Sequence, residues 1–477
     1  MNTLHIFTLL PLIVLAITPV IIMLVVAFYR NHRLTVALTL IGTASAFVTL
    51  LIVEPLAPLR ITTLLVIDHY ALFYMGLLFV ASFIVALLSQ VYLTGRDVNQ
   101  EEYYILLLLS TLGAAVLATS NHFISFFLGL EILSVSLYSL IAYLRTSRGI
   151  EAGIKYLILA AASAAFLLFG MALVYAELGT MEFPQIASKI ASLNTPAILT
   201  LVGLAMIITG IGFKLAVVPF HMWTPDIYEG APAPVTAFVA TVSKGAVFVL
   251  LLRYFTQQGI STYSSLYLIF ILIAIASMFV GNILALFQNN VKRILAYSSI
   301  AHLGYLLVAF LASSAMAVVA VSYYLVAYFV TTLGAFSIIT VLSGKEKDTD
   351  NLSDYQGLAW RRPWLALVFT VMLFSLAGIP LTAGFIGKFY IILVGAKSAL
   401  WVLVLLMVLA SSIGLYYYLR IIVAMYSRPE REAPAISLPL TLSGSLILAV
   451  LTLLLLWLGV YPGPLLEVIQ KTVVRLI

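Results

Sequence analysis

Five charged side chains lie inside long apolar segments of this sequence: Glu131, Lys155, Lys214, Lys244 and Lys388. A charged side chain at the centre of a bilayer costs about 2.5–3.5 kcal/mol on insertion scales, so such residues usually pair or take part in transport. Four lysines cannot all pair with one glutamate. Because burial disfavours the charged form of a lysine, lysines of this kind can take up and release protons. The pattern therefore indicates a proton relay rather than a sodium site, which would need oxygen ligands.

Each of these residues also has a structural interpretation. Lys155 lies only four residues into its apolar segment, so its side chain could extend to the membrane interface. Glu131, Lys214 and Lys244 lie too deep for that, and their alternative is a static ion pair between helices. His302, in YSSIAHLGY, has hydroxyl-bearing neighbours. It is either part of a hydrated proton path or a packed histidine bonded to nearby backbone.

Two prolines accompany the deep lysines. Pro219 follows Lys214 in GIGFKLAVVPFHMW, and Pro380 precedes Lys388 in LAGIPLTAGFIGK. Proline inside a helix removes a backbone hydrogen bond, and irregular backbone at membrane depth is tolerated only where protein or water satisfies the freed groups. We therefore predict helix breaks at Pro219 and Pro380, next to the lysines.

The composition is that of an integral membrane protein. Of 477 residues, 63% are hydrophobic and only 9% are charged, whereas soluble domains carry roughly 25% charged residues. The sequence has no cysteine, which excludes a thiolate-ligated iron–sulfur cluster and a disulfide. Six histidines leave little room for a haem or a metal cage. Redox chemistry linked to this protein is therefore expected in other chains.

A bilayer core of about 30 Å is crossed by a helix of about 20 apolar residues. The first apolar run lacks a basic leader and is too long for a signal peptide, so we expect it to be a retained span. The run 363–395 is too long for one straight helix, which predicts a broken one. Fourteen runs qualify as spans: 6–29, 34–53, 69–94, 103–119, 122–144, 152–176, 196–220, 231–256, 265–287, 294–313, 315–343, 363–395, 399–426 and 437–461.

The distribution of basic residues supports this count. When the 24 Lys and Arg are assigned to alternating sides, one side receives 14, the other receives 6, and four lie within spans. The basic side should face the cytoplasm, which predicts that both termini are periplasmic. One cytoplasmic loop, 226–230, carries no Lys or Arg. The tail 462–477 is amphipathic and is expected at the interface. Residues 1–477 then form a single integral membrane domain.

The two predicted breaks fall in spans seven and twelve. An odd separation of five spans gives them opposite orientations, which is the arrangement of an inverted repeat with two discontinuous helices. The repeats would cover approximately 103–256 and 265–426. The predicted fold class is therefore an all-α polytopic membrane protein of about 14 transmembrane helices. It contains two inverted five-helix repeats, with helices 7 and 12 discontinuous.

Three stretches resemble a known family: GFKLAVVPFHMWTPDIYEGAPAPVTAFVATVSKGAVF, KRILAYSSIAHLGYLLV and SLAGIPLTAGFIGKFY. They are similar to the antiporter-like membrane subunits of proton-pumping NADH–quinone oxidoreductase, which is respiratory complex I (NDH-1) of bacteria. The likeness covers essentially the whole chain. The loop TPDIYEGAPAPV resembles the subunit N type, Lys388 differs from the glutamate typical of subunit M, and the short tail differs from the long lateral helix of subunit L.

This resemblance implies a membrane-arm subunit of a translocase that moves protons while partner subunits transfer electrons from NADH to quinone. By motif, Glu131 matches the fifth-helix glutamate and Lys214 the seventh-helix lysine with which it pairs. Lys244 matches the connecting lysine of the eighth helix, and Lys388 matches the twelfth-helix lysine linked to the outer side. Lys155 and His302 also match polar positions of this subunit.

The resemblance further implies that this chain binds no cofactor, and that FMN, iron–sulfur clusters and quinone belong to partner subunits. The expected partners are other membrane-arm subunits and the lipid bilayer, with no nucleic acid, in the bacterial inner membrane. Two alternatives stay open: a subunit of a multi-subunit cation/proton antiporter, and a non-conducting scaffold of the membrane arm. Whether Lys214 carries a proton or only gates the proton on Lys244 also stays open.

Overall fold

The computed structural model describes residues 3–96, 98–192, 197–258, 264–345, 347–428 and 442–472, and these residues are largely helical. The first ten helices are α1 (Thr3–Thr8), α2 (Leu10–Phe28), α3 (His32–Val53), α4 (His69–Leu93), α5 (Glu101–Thr119), α6 (Phe123–Ile141), α7 (Ser147–Leu178), α8 (Phe183–Ala191), α9 (Ile198–Leu215) and α10 (Trp223–Gly230). A short antiparallel hairpin of β1 (Leu59–Ile61) and β2 (Leu65–Ile67) joins α3 to α4.

The remaining helices follow a similar alternation of long and short elements. They are α11 (Ala233–Phe238), α12 (Lys244–Gln258), α13 (Ser264–Leu286), α14 (Val291–Leu311), α15 (Ala315–Leu342), α16 (Leu358–Arg361), α17 (Pro363–Ala377), α18 (Ala383–Lys397), α19 (Trp401–Tyr426), α20 (Leu442–Val460) and α21 (Gly463–Thr472). A π-helical turn, Val239–Ser243, joins α11 to α12, so these elements form one span. α21 begins the predicted amphipathic tail, whose last residues, 473–477, lie outside the described residues.

The structure confirms the predicted spans. The described residues contain 13 helices long and apolar enough to cross a membrane, together with the shorter apolar helix α17. The long run 363–395 is divided into α17 and α18, as its length predicted. Two spans that the sequence barely separates, α5 and α6, are distinct helices joined by a tight turn. Backbone bridges from Ser120 to Leu65 and from His122 to Glu182 hold that turn.

Polar side chains at the ends of the apolar runs determine where several spans begin. The side chains of Asn31, Asp68, Thr146 and Ser314 each accept a hydrogen bond from a backbone N–H of the first helical turn. These N–H groups have no partner within the helix, so a capping oxygen stabilises the helix start, typically by about 1 kcal/mol. These four caps determine where α3, α4, α7 and α15 begin.

The helices form layers around a buried centre. The span made of α11 and α12, together with α14 and α15, is almost wholly enclosed by other helices, whereas α2, α3, α7 and α19 expose much of their surface. The exposed side chains of these outer helices are mainly large and apolar, as expected for surfaces that contact lipid. Three of the deep titratable residues, Lys244, His302 and Lys388, lie on or against the central helices.

Loops that the sequence assigned to the basic-rich side meet at one end of the bundle. Arg96 lies 3.8 Å and Lys292 2.5 Å from carboxylate oxygens of Asp348, and Arg148 lies 3.5 Å from Glu229. Glu229 lies in the short helix α10, within the segment 226–230 that the sequence assigned to a loop of this side without a basic residue. That segment therefore supplies acids to the cluster. This cluster of Arg96, Arg148, Glu229, Lys292 and Asp348 is the charged face of the molecule.

Candidate proton pathway

Both predicted helix breaks are present, and each is made by a left-handed residue before the proline. Helix α9 ends at Leu215, where Ala216 has a φ of 60°. Helix α17 ends in the same way, with Gly378 at a φ of 86°. Backbone N–H groups just beyond each end return to carbonyls of the last helical turn, which is a common way for a helix to stop. Pro219 and Pro380 lie in the irregular segments that follow.

Lys214 lies in the last turn of α9 and faces one side of α6. Its ammonium donates a 2.7 Å hydrogen bond to Ser134 Oγ, and the ring of Tyr156 lies 5.2 Å from its Nζ. Glu131, one turn before Ser134, interacts with Lys214 electrostatically, but the described ion pairs do not include a direct contact between them. The carboxylate Oε1 of Glu131 is buried and has no hydrogen-bond partner among the described residues. Glu131 and Lys214, which the sequence predicted to pair, therefore interact electrostatically without a direct ion pair among the described residues.

Aromatic rings occupy the region between Lys214 and Lys244. Trp223 packs against Tyr156 at 5.1 Å and against Phe213 at 5.4 Å between ring centroids. The indole of Trp223 donates to the backbone carbonyl of Phe213, which also satisfies a carbonyl near the end of α9. The Nζ of Lys244 lies 5.8 Å from the centroid of the Trp223 ring. The two lysines therefore share an aromatic wall.

Lys244 begins α12 directly after the π-helical turn Val239–Ser243, a type of irregularity often found at functional sites. It is almost fully buried, and its ammonium donates a 2.7 Å hydrogen bond to Ser299 Oγ. The hydroxyl group of Tyr228 also hydrogen-bonds Ser299, at 3.4 Å, and the side chain of Tyr328 lies close to Ser299. Ser299 therefore places Lys244 near hydroxyl groups on two further helices.

His302 lies one turn after Ser299 on α14, and both of its ring nitrogens bind tyrosine hydroxyls. Tyr324 contacts Nδ1 at 2.6 Å and Tyr418 contacts Nε2 at 3.1 Å. The ring of Tyr328 lies 5.6 Å from the imidazole between centroids. Of the two interpretations offered by the sequence, a histidine among hydroxyls describes this environment better than one bonded to backbone. A neutral imidazole donates from one nitrogen and accepts at the other, so both contacts can be satisfied.

Lys388 lies on α18 but reaches back to the end of α17. Its ammonium donates to the carbonyls of Leu376 and Ala377, each at 2.9 Å, and to Ser411 Oγ at 2.8 Å. These carbonyls belong to the last turn of α17, where the helix dipole favours a positive charge. The ring of Tyr305 lies 5.3 Å from Nζ. The break in α17 therefore creates the polar site that Lys388 occupies.

Lys155 lies apart from the other three lysines. Its side chain is 44% exposed, and its ammonium pairs with Glu151 at 2.7 Å and Asp226 at 2.9 Å. Asp226 also pairs with Arg293 at 2.9 Å. Burial alone would raise the pKa of Asp226, but hydrogen bonds and charge interactions with Lys155 and Arg293 outweigh burial and hold its pKa below the ordinary value. Lys155 therefore lies at the charged end of the bundle, which is the position described by the interfacial one of its two interpretations.

Several residues of the pathway were not singled out from the sequence. Most of them carry hydroxyl or amide groups, and Trp223 carries an indole N–H. They lie on helices that are distant in sequence, and the sequence of one apolar helix does not show which of its polar groups will contact those of another helix. The only available signals were the pair Tyr324 and Tyr328, spaced four residues apart on one helix face, and the adjacent Tyr417 and Tyr418. The residues added by the structure are Ser134, Tyr156, Trp223, Asn282, Tyr324, Tyr328, Ser411, Tyr417 and Tyr418.

The comparisons with known proteins agree along nearly the whole chain. The family described as NADH:quinone oxidoreductase/Mrp antiporter, TM, matches residues 120–414. NADH-quinone oxidoreductase subunit N of Nitrosospira multiformis is 55% identical, and the alignment covers 97% of this chain and 95% of the relative. The protein of the same name from Ectopseudomonas mendocina is 49% identical over 98% of this chain and 96% of the relative.

Solved structures show the same fold. A chain of respiratory complex I from Thermus thermophilus with bound aureothin has a TM-score of 0.82 and 32% identity, covering 96% of this chain and 98% of that one. A chain of an archaeal membrane-bound sulfane sulfur reductase has a TM-score of 0.84 and 26% identity, covering 99% and 98%. A chain of the Mrp complex from Dietzia has a TM-score of 0.87 at 19% identity, covering 100% and 98%, and shows the fold alone. The chain belongs to the NADH:quinone oxidoreductase/Mrp antiporter family of membrane subunits, and its relatives at 49–55% identity are NADH-quinone oxidoreductase subunit N.

Proposed function

We propose that this chain is a proton-translocating membrane-arm subunit of NADH:quinone oxidoreductase. Electron transfer from NADH to quinone, with its FMN and iron–sulfur clusters, takes place in partner subunits. Relatives at 49–55% identity over nearly the whole chain support the assignment to that complex. The observation that carries proton translocation is the set of three lysines buried among transmembrane helices and linked to hydroxyl groups rather than to permanent acid partners.

Proton movement would pass from Lys244 towards Lys388. Ser299 accepts a hydrogen bond from Lys244 and lies close to Tyr328, whose ring centroid is 5.6 Å from that of the His302 imidazole. A histidine with hydroxyl groups at both nitrogens can accept a proton at one and release one from the other. This arrangement supports a relay in which His302 and its tyrosines lie between the two lysines.

Lys214 and Glu131 would control this relay. A change arriving from a neighbouring subunit would bring the carboxylate of Glu131 to the ammonium of Lys214 or separate them. Because both charges lie in a low-dielectric region, such a movement alters the local potential strongly. The aromatic wall of Tyr156, Phe213 and Trp223 separates Lys214 from Lys244. This separation favours Lys214 as a gate over Lys214 as a direct donor.

We further infer that residues 103–256 and 265–426 form two inverted repeats and that both termini face the periplasm. In support, α5 packs on α6 as α13 packs on α14, and α7 packs on α9 as α15 packs on α17. The left-handed helix ends at Ala216 and Gly378 occupy corresponding positions in the two halves. The collection of basic loops at one end of the bundle supports a cytoplasmic location for that end.

The proposal is tested with the assembled complex in proteoliposomes, by measuring protons translocated per NADH oxidised. We expect Lys244→Ala and Lys388→Ala each to lower that ratio. Lys397→Ala is the matched control, because Lys397 lies in the last turn of the same helix as Lys388 but is exposed. Full proton translocation by both Lys244→Ala and Lys388→Ala would refute the relay.

The same assay separates the alternatives. A non-conducting scaffold predicts that Glu131→Gln lowers the stability of the complex while the ratio of protons to NADH in surviving complexes stays at the wild-type value. Gating by Glu131 predicts a lower ratio. A cation/proton antiporter predicts that proton movement depends on sodium and persists with a sodium gradient when NADH is absent.

A further inference from the structure

A second chain of polar groups lies between His302 and Lys388, and it passes through one carboxamide. On the His302 side, Tyr418 contacts the imidazole at 3.1 Å, and the adjacent Tyr417 packs against Tyr418 with 4.4 Å between ring centroids. On the Lys388 side, Ser411 accepts from the ammonium at 2.8 Å, and the ring of Tyr305 lies 5.3 Å from the same ammonium. The two sides meet at Asn282.

Asn282 lies on α13 and is 1% exposed. Its Oδ1 accepts a 2.9 Å hydrogen bond from the hydroxyl group of Tyr417, and its Nδ2 donates a 2.8 Å hydrogen bond to the hydroxyl group of Tyr305. Nδ2 also donates to the backbone carbonyl of Met278 at 2.7 Å. Because a carbonyl only accepts, this third bond fixes which end of the amide faces each tyrosine.

The neighbouring helix, α19, has a glycine where it passes this amide. A methyl group added at Gly414 of α19 would lie 2.9 Å from Asn282 Oδ1 and 3.3 Å from the hydroxyl oxygen of Tyr417. Both distances are shorter than ordinary carbon–oxygen contacts. The absence of a side chain at Gly414 therefore lets Tyr417 and Asn282 meet.

The chemistry of an amide differs from that of every other group in this chain. Hydroxyl, imidazole and amine groups can each accept a proton at one lone pair and release another proton. A carboxamide offers an acceptor oxygen and donor hydrogens on different atoms, and it neither gains nor loses a proton in the ordinary pH range. A proton that reaches Tyr417 therefore has no low-energy way through Asn282 to Tyr305.

We propose that Asn282 is a positioning residue that holds the chain from His302 to Lys388 together while blocking proton transfer along it. This inference rests on the proposed function. With this chain blocked, protons cross between His302 and Lys388 only when another proton-conducting group, such as water, joins the hydroxyls around the amide. Proton transfer between His302 and Lys388 then occurs only in conformations in which such a group is bound. In all other conformations, protons do not flow back along the pathway.

The test is Asn282→Asp, which keeps the shape of the side chain but supplies a carboxyl group that can accept a proton on one oxygen and release one from the other. In proteoliposomes containing the whole complex, we expect a several-fold rise in passive proton conductance under an imposed pH gradient without NADH. We also expect fewer protons translocated per NADH. Asn282→Leu is the matched control, because it is of similar size, conducts no proton and should leave passive conductance at the wild-type level.

A second substitution tests the route. Replacing Tyr417 by phenylalanine in the Asn282→Asp background removes the next hydroxyl group of the chain, so the added conductance should disappear. If Asn282→Asp does not assemble, Asn282→Ser is used, since its hydroxyl group can also relay a proton, and the same rise is expected.

The outcomes separate this inference from the proposed function. Equal conductance in the aspartate and leucine variants, or a leak that survives loss of the Tyr417 hydroxyl group, would overturn the block at Asn282. In either case, if Lys388→Ala still lowers the ratio of protons to NADH, the proposed relay stands. Wild-type translocation by both Lys244→Ala and Lys388→Ala would remove the relay itself.

Discussion

At the scale of single residues, the three deep lysines differ in what their ammonium groups contact. Lys214 and Lys244 each donate to one serine hydroxyl, and aromatic rings surround the rest of the amine. Lys388 donates to two carbonyls and one hydroxyl, which matches the three donors of an ammonium group. The ammonium group of Lys388 is therefore the most fully hydrogen-bonded of the three, whereas Lys214 interacts electrostatically with Glu131.

The tyrosine at the imidazole gives the clearest prediction at this scale. Tyr418→Phe removes the hydroxyl group shared by His302 Nε2 and Ser298. We expect it to lower the ratio of protons to NADH about as much as Lys388→Ala, because the imidazole loses one of its two proton partners. Tyr416→Phe, on the same helix but 63% exposed, should keep the wild-type ratio. Equal ratios in the two variants would contradict a role for Tyr418 in transfer.

At the scale of elements, the two broken spans are built alike but use their lysines differently. In the first, the lysine lies in the turn that ends at the break, and Trp223 satisfies a freed carbonyl. In the second, the lysine comes from the helix after the break and binds the freed carbonyls itself. Each break therefore exposes backbone dipoles at membrane depth, where unsatisfied polar groups are costly and need such partners.

Gly378 tests the importance of the second break. Its φ of 86° is unfavourable for other residues, and an added Cβ would lie 2.8 Å from Lys388 Cδ. We expect Gly378→Ala to lower the free energy of unfolding by about 1–2 kcal/mol from the left-handed backbone alone. Displacement of Lys388 should also reduce proton translocation. Gly76→Ala, inside α4 where the nearest atom is 3.5 Å away, should leave translocation unchanged and should not lower thermal stability in detergent, because alanine favours a helix more than glycine does. Wild-type behaviour of Gly378→Ala would show that the break tolerates a side chain.

At the scale of the whole molecule, the charged face ties together loops from both halves of the chain. A cavity of about 550 Å³ on this face is lined by Arg96, Arg148, Glu229, Asp348 and other residues of the same loops. Burial opposes ionisation of Asp348, but Lys292, Tyr92 and Arg96 outweigh it and hold the pKa of Asp348 below its ordinary value. The carboxylate of Asp348 therefore links α4, α14 and the loop after α15 in its charged form.

The lowered pKa values of Asp348 and Asp226 predict the acid limit of stability. A carboxyl group with a lower pKa in the folded state stabilises the protein above its unfolded value, about 3.9, and loses that contribution as the pH falls through the folded value. Thermal stability in detergent should therefore change little from neutral pH to about pH 5 and decline below about pH 4. Asp348→Asn should lower stability at neutral pH and make the decline shallower. A decline of wild-type steepness in that variant would contradict this assignment.

The spans, the family and the depth of the lysines could be predicted from the amino-acid sequence. Apolar runs of bilayer length can satisfy their backbone only as helices, so composition and run length were sufficient for the architecture. Lys214, Lys244 and Lys388 were identified because charge is rare and costly at that depth. Lys155, four residues into its run, could not be assigned to the interface or the pathway without its partners.

The neutral polar groups that surround these lysines could not be predicted from the sequence and are known from the packing of the helices. Serine, tyrosine and asparagine are common enough in transmembrane helices that their presence carries little information. Their role depends on helix rotation and packing, which bring Asn282, Tyr305 and Tyr417 together from three helices. The structure also located the break of α9 at Ala216 rather than at Pro219. A left-handed residue other than glycine is stabilised by its surroundings, and those surroundings come from distant parts of the chain.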